Sequence, residues 1–447
     1  MDSNLKLTLS PQVTLRPEPQ YYGIYMCFDY VKERSEFLDK DEFRILQYLR
    51  GKSSEVKVVA KETGVNYNKC VKFLERALRL GLVYETSEPP SILPLEGIEA
   101  DMKVFSRFPV PFLSAPASVD IFITNRCNLN CIHCFSATDK KVDLPVETLQ
   151  SLFYQLEEMA VLEVRINGGE PLLHPEIGEI IDLLEAKRFR KVLLTNGTTV
   201  DDEVAKQLKK ANVIPTVSLD DSEASDHDSF RGMEGAFART LEGLRAFRKN
   251  NVQYGINCCL HAKNLGKIDR IVKLAEKHGA SRIAFLDLKP IGRMRSHMEW
   301  MPSRSEYEVA MGNLAISRLR HRQIDVSFDA FLYCTVPRES KAELVRGYIS
   351  CRAGRSTLSI SSDGSVYPCN VVIGDPSWKL GDLQSQRLRD IWFSERWASF
   401  RGAVKVSDLK KCGSCKEMRN CKYVYCRLAP YVVNGDPLGP SPYCDNI

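Results

Sequence analysis

The middle of the chain alternates short apolar runs with longer amphipathic segments. Apolar runs of strand length occur at residues 118–124, 161–166, 191–195, 213–219, 252–260 and 282–288. Each run is followed by a stretch with helical periodicity, such as PEIGEIIDLLEAKRF at 175–189, whose isoleucines and leucines recur on one helical face. Six strand–helix units predict an α/β fold whose parallel sheet curves into a partial (β/α)6 barrel of the TIM type over residues 116–320.

The first 86 residues have a different pattern. Aromatic and apolar positions alternate around a charged turn at residues 21–38, which predicts a β-hairpin. Helical periodicity follows at about 41–50, 55–63 and 67–81, so residues 1–86 are expected to form a winged-helix-like domain. The proline-rich segment SEPPSILPLEG then begins a predicted linker over residues 87–115.

The strand–helix alternation is predicted to stop near residue 321. Turn signals such as SSDGS and NGDPLGPSP replace it, together with seven regularly placed cysteines between residues 351 and 444. We therefore expect residues 321–447 to form a separate domain that is organised around metal more than around an apolar core.

Composition and charge exclude several classes of protein. Of the 447 residues, 44% are hydrophobic and 27% charged, which is typical of a soluble globular protein, and a net charge of +5 does not call for nucleic acid. The N-terminal sequence lacks the basic start and apolar run of an export signal, and no run of about 18 uncharged apolar residues occurs. A cytoplasmic protein without membrane contact is expected. Fifteen cysteines then indicate metal or redox chemistry and not disulfides.

Unusual residues follow four consecutive predicted strands. In a parallel barrel, the loops after the strands open at one face, so these segments are expected to converge there. They are Cys127, Cys131 and Cys134 after the first strand, Gly168, Gly169, Glu170 and Pro171 after the second, Thr195 and Asn196 after the third, and Ser218 after the fourth. Three thiolates without a fourth cysteine or a spaced histidine pair nearby fit a 4Fe-4S cluster with one open iron better than a structural zinc site.

The loop CxxxCxxC, followed by GGEP, TNG and SLD after the next three strands, resembles the radical S-adenosylmethionine (SAM) superfamily over roughly residues 115–320. The resemblance implies that SAM chelates the open iron of the 4Fe-4S cluster. It further implies the cosubstrate contacts. Residues 168–171 would receive the methionyl ammonium, Arg231 the carboxylate, Ser218 the ribose or carboxylate, and His133 and Leu288 the adenine. Taken singly, each of these residues also fits a turn, a surface pair or core packing.

The C-terminal cysteines resemble the SPASM extension of radical SAM enzymes that modify peptides and proteins. That extension implies two auxiliary 4Fe-4S clusters. One would use Cys412, Cys415, Cys421 and Cys444, and the other Cys351, Cys369 and Cys426, with Cys334 as a fourth ligand. Four residues separate Cys421 from Cys426 where three are usual, which puts Cys426 in question, and a pair of zinc knuckles is the alternative.

The N-terminal domain resembles the PqqD-like domains that recognise precursor peptides. There a leader peptide adds as a strand to the hairpin, here somewhere in residues 21–38. Basic residues suit an acidic leader but also raise a DNA-binding alternative, which we regard as the weaker one. They are Lys57, Lys61, Lys69, Lys72, Arg76 and Arg79.

These resemblances predict an iron-sulfur enzyme that cleaves SAM reductively and crosslinks, decarboxylates or desaturates a ribosomally made precursor peptide, with flavodoxin or ferredoxin as electron donor. The hydrogen-abstraction site and the catalytic residue stay unassigned. Sulfatase-maturing relatives carry an aspartate after the cysteine of the GxxxxC element as a general base, whereas this chain has Asn370 there. Formylglycine-type modification is therefore an alternative, as are a radical SAM oxidoreductase of small molecules such as tetrapyrroles and a DNA-binding redox regulator.

Overall fold

The computed structural model of the protein describes residues 5–10, 12–18, 24–29, 34–86, 107–136, 140–329, 347–349, 351–416, 418, 426–440 and 444. Cys334 and Cys421 lie outside these residues, as does most of the predicted linker at 87–115. None of the described helices is both long and apolar enough to cross a membrane.

The N-terminal part consists of two three-stranded antiparallel sheets and three helices. Its strands are β1 (Lys6–Leu9), β2 (Val13–Glu18), β3 (Ile24–Asp29), β4 (Arg34–Leu38), β5 (Ser54–Glu55) and β6 (Val83–Glu85), and its helices are α1 (Lys40–Tyr48), α2 (Val56–Thr63) and α3 (Tyr67–Leu80). The sheet orders are β5-β1-β6 and β2-β3-β4. The predicted hairpin is confirmed as β3 and β4, and the three predicted helices are confirmed within a few residues.

Local signals set the ends of these helices. Asp39 caps α1 by accepting from the backbone of Glu42, whose side chain accepts in return from the Asp39 backbone. Gly64 and Gly81 end α2 and α3 in the left-handed conformation. The apolar faces of the helices meet in one small core that includes Ile45 and Leu74.

A buried ion pair joins β2 to the barrel. Arg16 and Glu18, both essentially inaccessible, pair at 2.6 Å. Arg16 Nη1 also donates to the carbonyl oxygens of Pro116 and Ala160, at 3.0 and 3.2 Å, and the backbone N–H of Ser114 donates to Glu18. The sheet β2-β3-β4, which contains the hairpin, is therefore fastened to the barrel along β2.

The barrel strands are β7 (Ser118–Thr124), β8 (Glu163–Gly168), β9 (Arg190–Thr195), β10 (Val213–Ser218), β11 (Gly255–Leu260), β12 (Arg282–Asp287) and β13 (Asp325–Asp329). The helices between them are α4 (Val146–Glu158), α5 (Ile177–Glu185), α6 (Asp202–Lys210), α7 (Ala224–Arg231), α8 (Ala236–Lys249), α9 (Ile268–His278) and α10 (Arg304–Arg320). All these strands pair in parallel and in chain order, which confirms the predicted α/β class.

The parallel sheet is larger than the six predicted strands. β13 pairs with β12, so the expectation that the alternation stops near residue 321 is wrong at this strand. Its sequence, DVSFD, carries an aspartate at each end and lies at the edge of the sheet, so it lacks the apolar run that marked the others. The boundary predicted at residue 320 falls between α10 and this strand.

The C-terminal part continues the same sheet. It contributes β14 (Thr357–Ile360), β15 (Ser365–Tyr367) and β16 (Gly381–Asp382), followed by α11 (Leu388–Trp392) and α12 (Leu428–Asn434). β14 pairs in parallel with the free side of β7, and β15 and β16 extend the sheet antiparallel.

This region also has a larger apolar core than its sequence suggested. Trp392 and Trp397 are fully buried and pack near Phe112, around the guanidinium of Arg401. The centroids of Phe112, Trp392 and Trp397 lie 3.5, 4.7 and 5.3 Å from that guanidinium carbon. The cation is therefore stabilised by aromatic faces, and Arg401 Nε donates to Gly354.

Candidate active site at the carboxyl ends of the barrel strands

The cluster loop, residues 125–136, leaves β7 and carries Cys127, Cys131 and Cys134. Cys131 is buried and Cys127 is exposed. The loop turns back on itself, because the backbone N–H of Cys134 donates to the Cys131 carbonyl at 3.2 Å and that of Leu129 donates to Cys127 Sγ at 3.5 Å. The three thiols thus share one compact loop, as the sequence predicts.

Glycines from three other loops press directly on the cluster loop. A Cβ atom at Gly169 would lie 2.4 Å from the Arg126 carbonyl oxygen, and one at Gly232 would lie 2.2 Å from that of Asn130. A Cβ at Gly292 would lie 2.4 Å from the Cys134 carbonyl oxygen. Contacts this short leave no room for a side chain. The GGEP segment, the end of the segment HDSFRG (residues 227–232) and the loop after β12 therefore pack directly against the backbone of the cluster loop.

Glu170 of GGEP joins the loops after β8 and β9. Its carboxylate is fully buried and accepts from Thr195 Oγ1 at 2.7 Å, from the Asn196 backbone at 2.7 Å and from the Leu172 backbone at 3.2 Å. Burial raises the pKa of Glu170 to about 6, although the hydrogen bonds from Asn196 and Thr195 oppose the shift. Both oxygens are engaged within the protein, while the predicted contact to a methionyl ammonium stays a prediction.

Asn128 connects the cluster loop to the TNG loop. Asn196 Nδ2 donates to Asn128 Oδ1 at 2.9 Å, and Asn128 Nδ2 donates to Thr198 Oγ1 at 2.8 Å. The amide of Asn128 is therefore held at both ends between Cys127 and Cys131. Sequence reasoning assigned Asn196 to this site but overlooked Asn128, whose only signal was its place inside CNLNC.

Arg231 lies beside a predicted iron ligand. Its Nη1 donates to Cys131 Sγ at 3.8 Å and its Nε to Asp220 Oδ2 at 2.6 Å. Burial would raise the pKa of Asp220, but the Arg231 charge outweighs this and lowers the pKa to about 2. Burial also raises the pKa of Cys131, and the arginine opposes that shift. A fixed positive charge thus stands next to the thiolate that iron binding would require.

An aromatic stack covers the other side of the loop. The ring centroids of His133 and Phe230 lie 4.2 Å apart with an interplanar angle of 8°, and those of His261 and Phe230 lie 4.3 Å apart with an angle of 31°. Leu288 is buried in the same apolar group as Phe230 and Trp300. His133 and Leu288 are therefore brought together near Cys134, as the resemblance implies, although an adenine contact is not tested by this geometry. Ser218 ends β10 half-buried and pairs in register with Asn257 of β11.

Six of the auxiliary cysteines are described, and their assignment to two clusters stays a prediction. Burial raises the pKa of Cys426 well above its usual value, and the charges of Cys351 and Cys369 add to the increase. These three thiols are therefore close neighbours despite the unusual spacing before Cys426. Cys412 and Cys415 share one turn, in which the Cys415 N–H donates to the Cys412 carbonyl at 3.0 Å, and Cys444 is half-buried.

Among the described residues, no three His, Cys, Asp or Glu side chains close around a single point in the way that one metal ion requires. A 4Fe-4S cluster makes a different demand, because each thiolate binds a different iron. Three thiols on one loop, supported by a neighbouring guanidinium and closely packed glycines, fit such a cluster. The soft donor set also suits iron-sulfur chemistry.

A carboxylate inside the barrel was overlooked by sequence reasoning. Asp120 interrupts the apolar run of β7, SVDIFIT, between Val119 and Ile121, which are both fully buried in the main core. Alternation along the strand places Asp120 on the opposite, inner face of the curved sheet. An acidic residue within a buried strand was the signal that could have found it.

The fold and this site define an α/β barrel enzyme that holds a three-cysteine loop and a second, cysteine-rich region. Residues 121–275 match the family model of the radical SAM superfamily, and residues 351–422 match that of an iron-sulfur cluster-binding domain termed SPASM. The chain belongs to the radical SAM superfamily, as its 31% identity over 351 residues to the AdoMet-dependent heme synthase of Methanosarcina barkeri (strain Fusaro / DSM 804) establishes. That alignment covers 75% of this chain and 98% of the synthase.

Two further similarities bear on function. The mycofactocin maturase MftC of Mycobacterium ulcerans (strain Agy99) is 30% identical over 342 residues, covering 74% of this chain and 88% of the maturase. The crystal structure of Streptococcus suis SuiB bound to precursor peptide SuiA matches the fold over 98% of this chain and 100% of that one, with a TM-score of 0.76 at 17% identity. The predicted enzyme class, with iron-sulfur clusters and SAM as cofactors, is thereby confirmed.

Proposed function

We propose that this protein modifies a ribosomally made precursor peptide by radical SAM chemistry. The proposal rests mainly on the structure of the N-terminal part. There the antiparallel sheet β2-β3-β4 is attached to the barrel through β2, and β4 is its outer strand. The heme synthase and the maturase align with about three quarters of this chain, whereas the peptide-bound SuiB fold matches 98% of it.

In this proposal Cys127, Cys131 and Cys134 hold a 4Fe-4S cluster. Together with SAM, the cluster supplies a one-electron cleavage of the sulfonium that generates a hydrogen-abstracting radical. Arg231 offsets negative charge at Cys131, and Asp220 keeps that guanidinium oriented. The GGEP segment and Gly232 fix the backbone of the cluster loop. The barrel excludes water from the reacting groups.

The remaining cosubstrate assignments follow the family. His133 and Leu288 would flank the adenine, Ser218 would contact the ribose or carboxylate, and Thr195 and Asn196 would support Glu170. Cys351, Cys369 and Cys426 would hold one auxiliary cluster, with Cys334 outside the described residues as its fourth ligand. Cys412, Cys415, Cys421 and Cys444 would hold the other.

The leader would add to β4. In the sheet order β2-β3-β4, β3 is central and β2 is fastened to the barrel through Arg16 and Glu18. Within the part of the chain that the structure describes, β4 pairs with β3 alone, so its outer edge can accept an extended peptide by main-chain hydrogen bonds. The segment proposed to bind the leader peptide is therefore narrowed from residues 21–38 to β4, residues 34–38.

Charge supports a leader better than it supports DNA. Two of the six basic residues of α2 and α3 are neutralised internally, because Lys69 pairs with Asp41 at 2.6 Å and Arg76 with Glu42 at 3.1 Å. The exposed remainder is too small for the broad basic surface that DNA binding uses, but is sufficient to attract acidic residues of a short peptide.

Anaerobic coexpression with the peptide encoded beside the gene tests the proposal. Mass spectrometry is expected to find a peptide lighter by two hydrogens for a crosslink or desaturation, or lighter by carbon dioxide and two hydrogens for oxidative decarboxylation. The control is Cys131→Ala, which removes one predicted iron ligand and is expected to leave the peptide unchanged. An unmodified peptide with the wild-type protein, under conditions where SAM is cleaved, would refute the proposal.

A second candidate is oxidation of a tetrapyrrole, favoured by the 31% identity to the heme synthase across nearly all of that protein. Anaerobic incubation with SAM, reductant and an iron-bound coproporphyrin distinguishes the two candidates. Conversion of the tetrapyrrole without any change in the peptide would favour this second function. The electron donor, which we propose to be flavodoxin or ferredoxin, and the cytoplasmic location stay predictions in both cases.

A further inference from the structure

Asp120 lies at the centre of a polar row on the inner face of the sheet. In register it stands opposite Arg165 of β8 and Ser359 of β14, so the three side chains project to the same side. Two residues further along β7, Phe122 shares this face and packs against Phe135 of the cluster loop, with ring centroids 6.2 Å apart. The row therefore lies below the cluster loop, within the barrel.

The carboxylate of Asp120 is only partly paired. Asn167 Nδ2 donates to Oδ1 at 3.1 Å, and Arg165 Nη1 lies 3.8 Å from the same oxygen, beyond hydrogen-bonding distance. The Nε of Arg165 instead donates to Glu163 at 2.5 Å. No described residue donates to Asp120 Oδ2, and 15% of the side chain is accessible. One oxygen is therefore left for a ligand in the barrel.

Burial and the side chains of β8 set the proton affinity of Asp120. Burial raises the pKa of Asp120, and Glu163 adds to the increase, while Arg165 and the Asn167 hydrogen bond oppose it, with a net rise. From β14, the neutral hydroxyl of Ser359 is buried without a described partner. A carboxylate with raised proton affinity accepts a proton more readily than an ordinary aspartate does.

Asp120 also stands near the auxiliary region. Its negative charge raises the pKa of Cys369, after the larger effect of burial, while Lys289 lowers it. Cys369 is followed by Asn370, which has no titratable group where sulfatase-maturing relatives carry an aspartate. Asp120 therefore supplies a carboxylate on the side of the barrel where Asn370 has no titratable group.

We infer that Asp120 is a catalytic residue that accepts the proton lost by the peptide during its oxidation. The inference rests on the proposed function and assigns its general base. The peptide first loses a hydrogen atom, which forms 5′-deoxyadenosine. The remaining carbon radical then loses one proton to Asp120 Oδ2 and one electron to an oxidised auxiliary 4Fe-4S cluster, which is reduced by one electron. The peptide ends two hydrogens lighter, so protons and electrons balance.

The test compares Asp120→Asn with Asp325→Asn, a matched control at an exposed aspartate of β13 in the same sheet. The measured quantity is modified peptide formed per 5′-deoxyadenosine released. We expect this ratio to fall by about 100-fold or more in Asp120→Asn, in the range typical of a lost general base. Release of 5′-deoxyadenosine should change little, and Asp120→Glu should restore part of the ratio.

Two readouts are independent of turnover. Affinity for the precursor peptide, measured by fluorescence anisotropy on protein without clusters, is expected to stay within about twofold, because the inferred role is proton transfer and not binding. Because burial raises the pKa of Asp120, the folded wild type binds this proton more tightly than the unfolded chain does. The stability of the wild type relative to Asp120→Asn is therefore expected to fall as the pH rises from the ordinary pKa of an aspartate to the raised pKa of Asp120. Thermal unfolding at several pH values measures that loss.

A product ratio equal to that of the control would overturn the inference, and so would a fall explained by lost peptide affinity. If Asp120→Asn does not fold, Asp120→Ser takes its place with the same criteria. Failure of the proposed function looks different, since the wild-type protein would then leave the peptide unmodified. If the wild-type protein modifies the peptide, either of the two results named first refutes this inference and leaves the proposed function standing.

Discussion

Gly232 and Gly235 form a natural pair for testing how the cluster loop is held. Both lie in the left-handed region, with φ of 65° and 78°, only three residues apart. An alanine at either position costs about 1 kcal/mol for the left-handed conformation. Only at Gly232 would the new Cβ also meet the Asn130 carbonyl oxygen, at 2.2 Å, whereas at Gly235 nothing lies within 4 Å.

The magnitude of the steric effect follows from that distance. Cβ atoms are essentially never found closer than 3.0 Å to another heavy atom, so the Asn130 carbonyl would have to retreat by about 0.8 Å. Overpacking of this kind costs about 1–3 kcal/mol beyond the conformational strain. The shift falls on the backbone between the first two predicted iron ligands, Cys127 and Cys131.

Iron and sulfide content after anaerobic reconstitution is the assay. We expect Gly235→Ala to retain wild-type iron, and Gly232→Ala to lose an amount equivalent to one cluster. Thermal unfolding of both proteins without clusters measures the strain separately. Equal iron content and equal SAM affinity in the two variants would show that the glycine contact does not position the loop.

Three further outcomes are expected. Asp220→Asn leaves the buried Arg231 without its anion, and a pKa lowered from 3.8 to about 2 makes the ionised Asp220 worth about 2–3 kcal/mol of stability. This advantage of the wild type is full above about pH 4 and disappears as pH falls through 2, which acid unfolding curves measure. Arg401→Lys removes a planar cation from its aromatic surroundings and lowers the melting temperature by several degrees, while the exposed control Arg396→Lys leaves it unchanged. Glu18→Gln breaks the buried pair that fastens β2 and is expected to make the N-terminal part cleavable by trypsin under native conditions, whereas an unchanged cleavage pattern would contradict that role.

Periodicity identified the barrel because its strands are rich in buried apolar residues and alternate with amphipathic helices. β7 was located to the residue, whereas β8 begins at Glu163 and not at residue 161, since Val161 and Leu162 are buried without being part of the strand. β13 and β2 were missed because charged residues interrupt their patterns. In β2 these charges are Arg16 and Glu18, whose burial depends on distant partners that local sequence does not reveal.

The site was predictable where chemistry depends on residue type and spacing, as with the three cysteines of the cluster loop. It was not predictable where one side chain holds another that is distant from it in the sequence. Asp220 and Asn128 matter because Arg231 and Asn196 reach them, and those distances arise only from folding. Asp120 needed the strand register, which shows that it faces the interior beside Arg165 and Ser359.

The parallel pairing of β14 with β7 has a consequence for how this protein could be shortened. β7 delivers the cluster loop, and β14, from the cysteine-rich end of the chain, supplies the hydrogen bonds along one of its sides. Deleting the region after residue 350 would expose a row of unpaired amides on a nearly wholly apolar strand, which invites edge-to-edge aggregation. The iron-sulfur extension is therefore not a detachable accessory, and a truncated enzyme is expected to precipitate before its radical chemistry can be assayed.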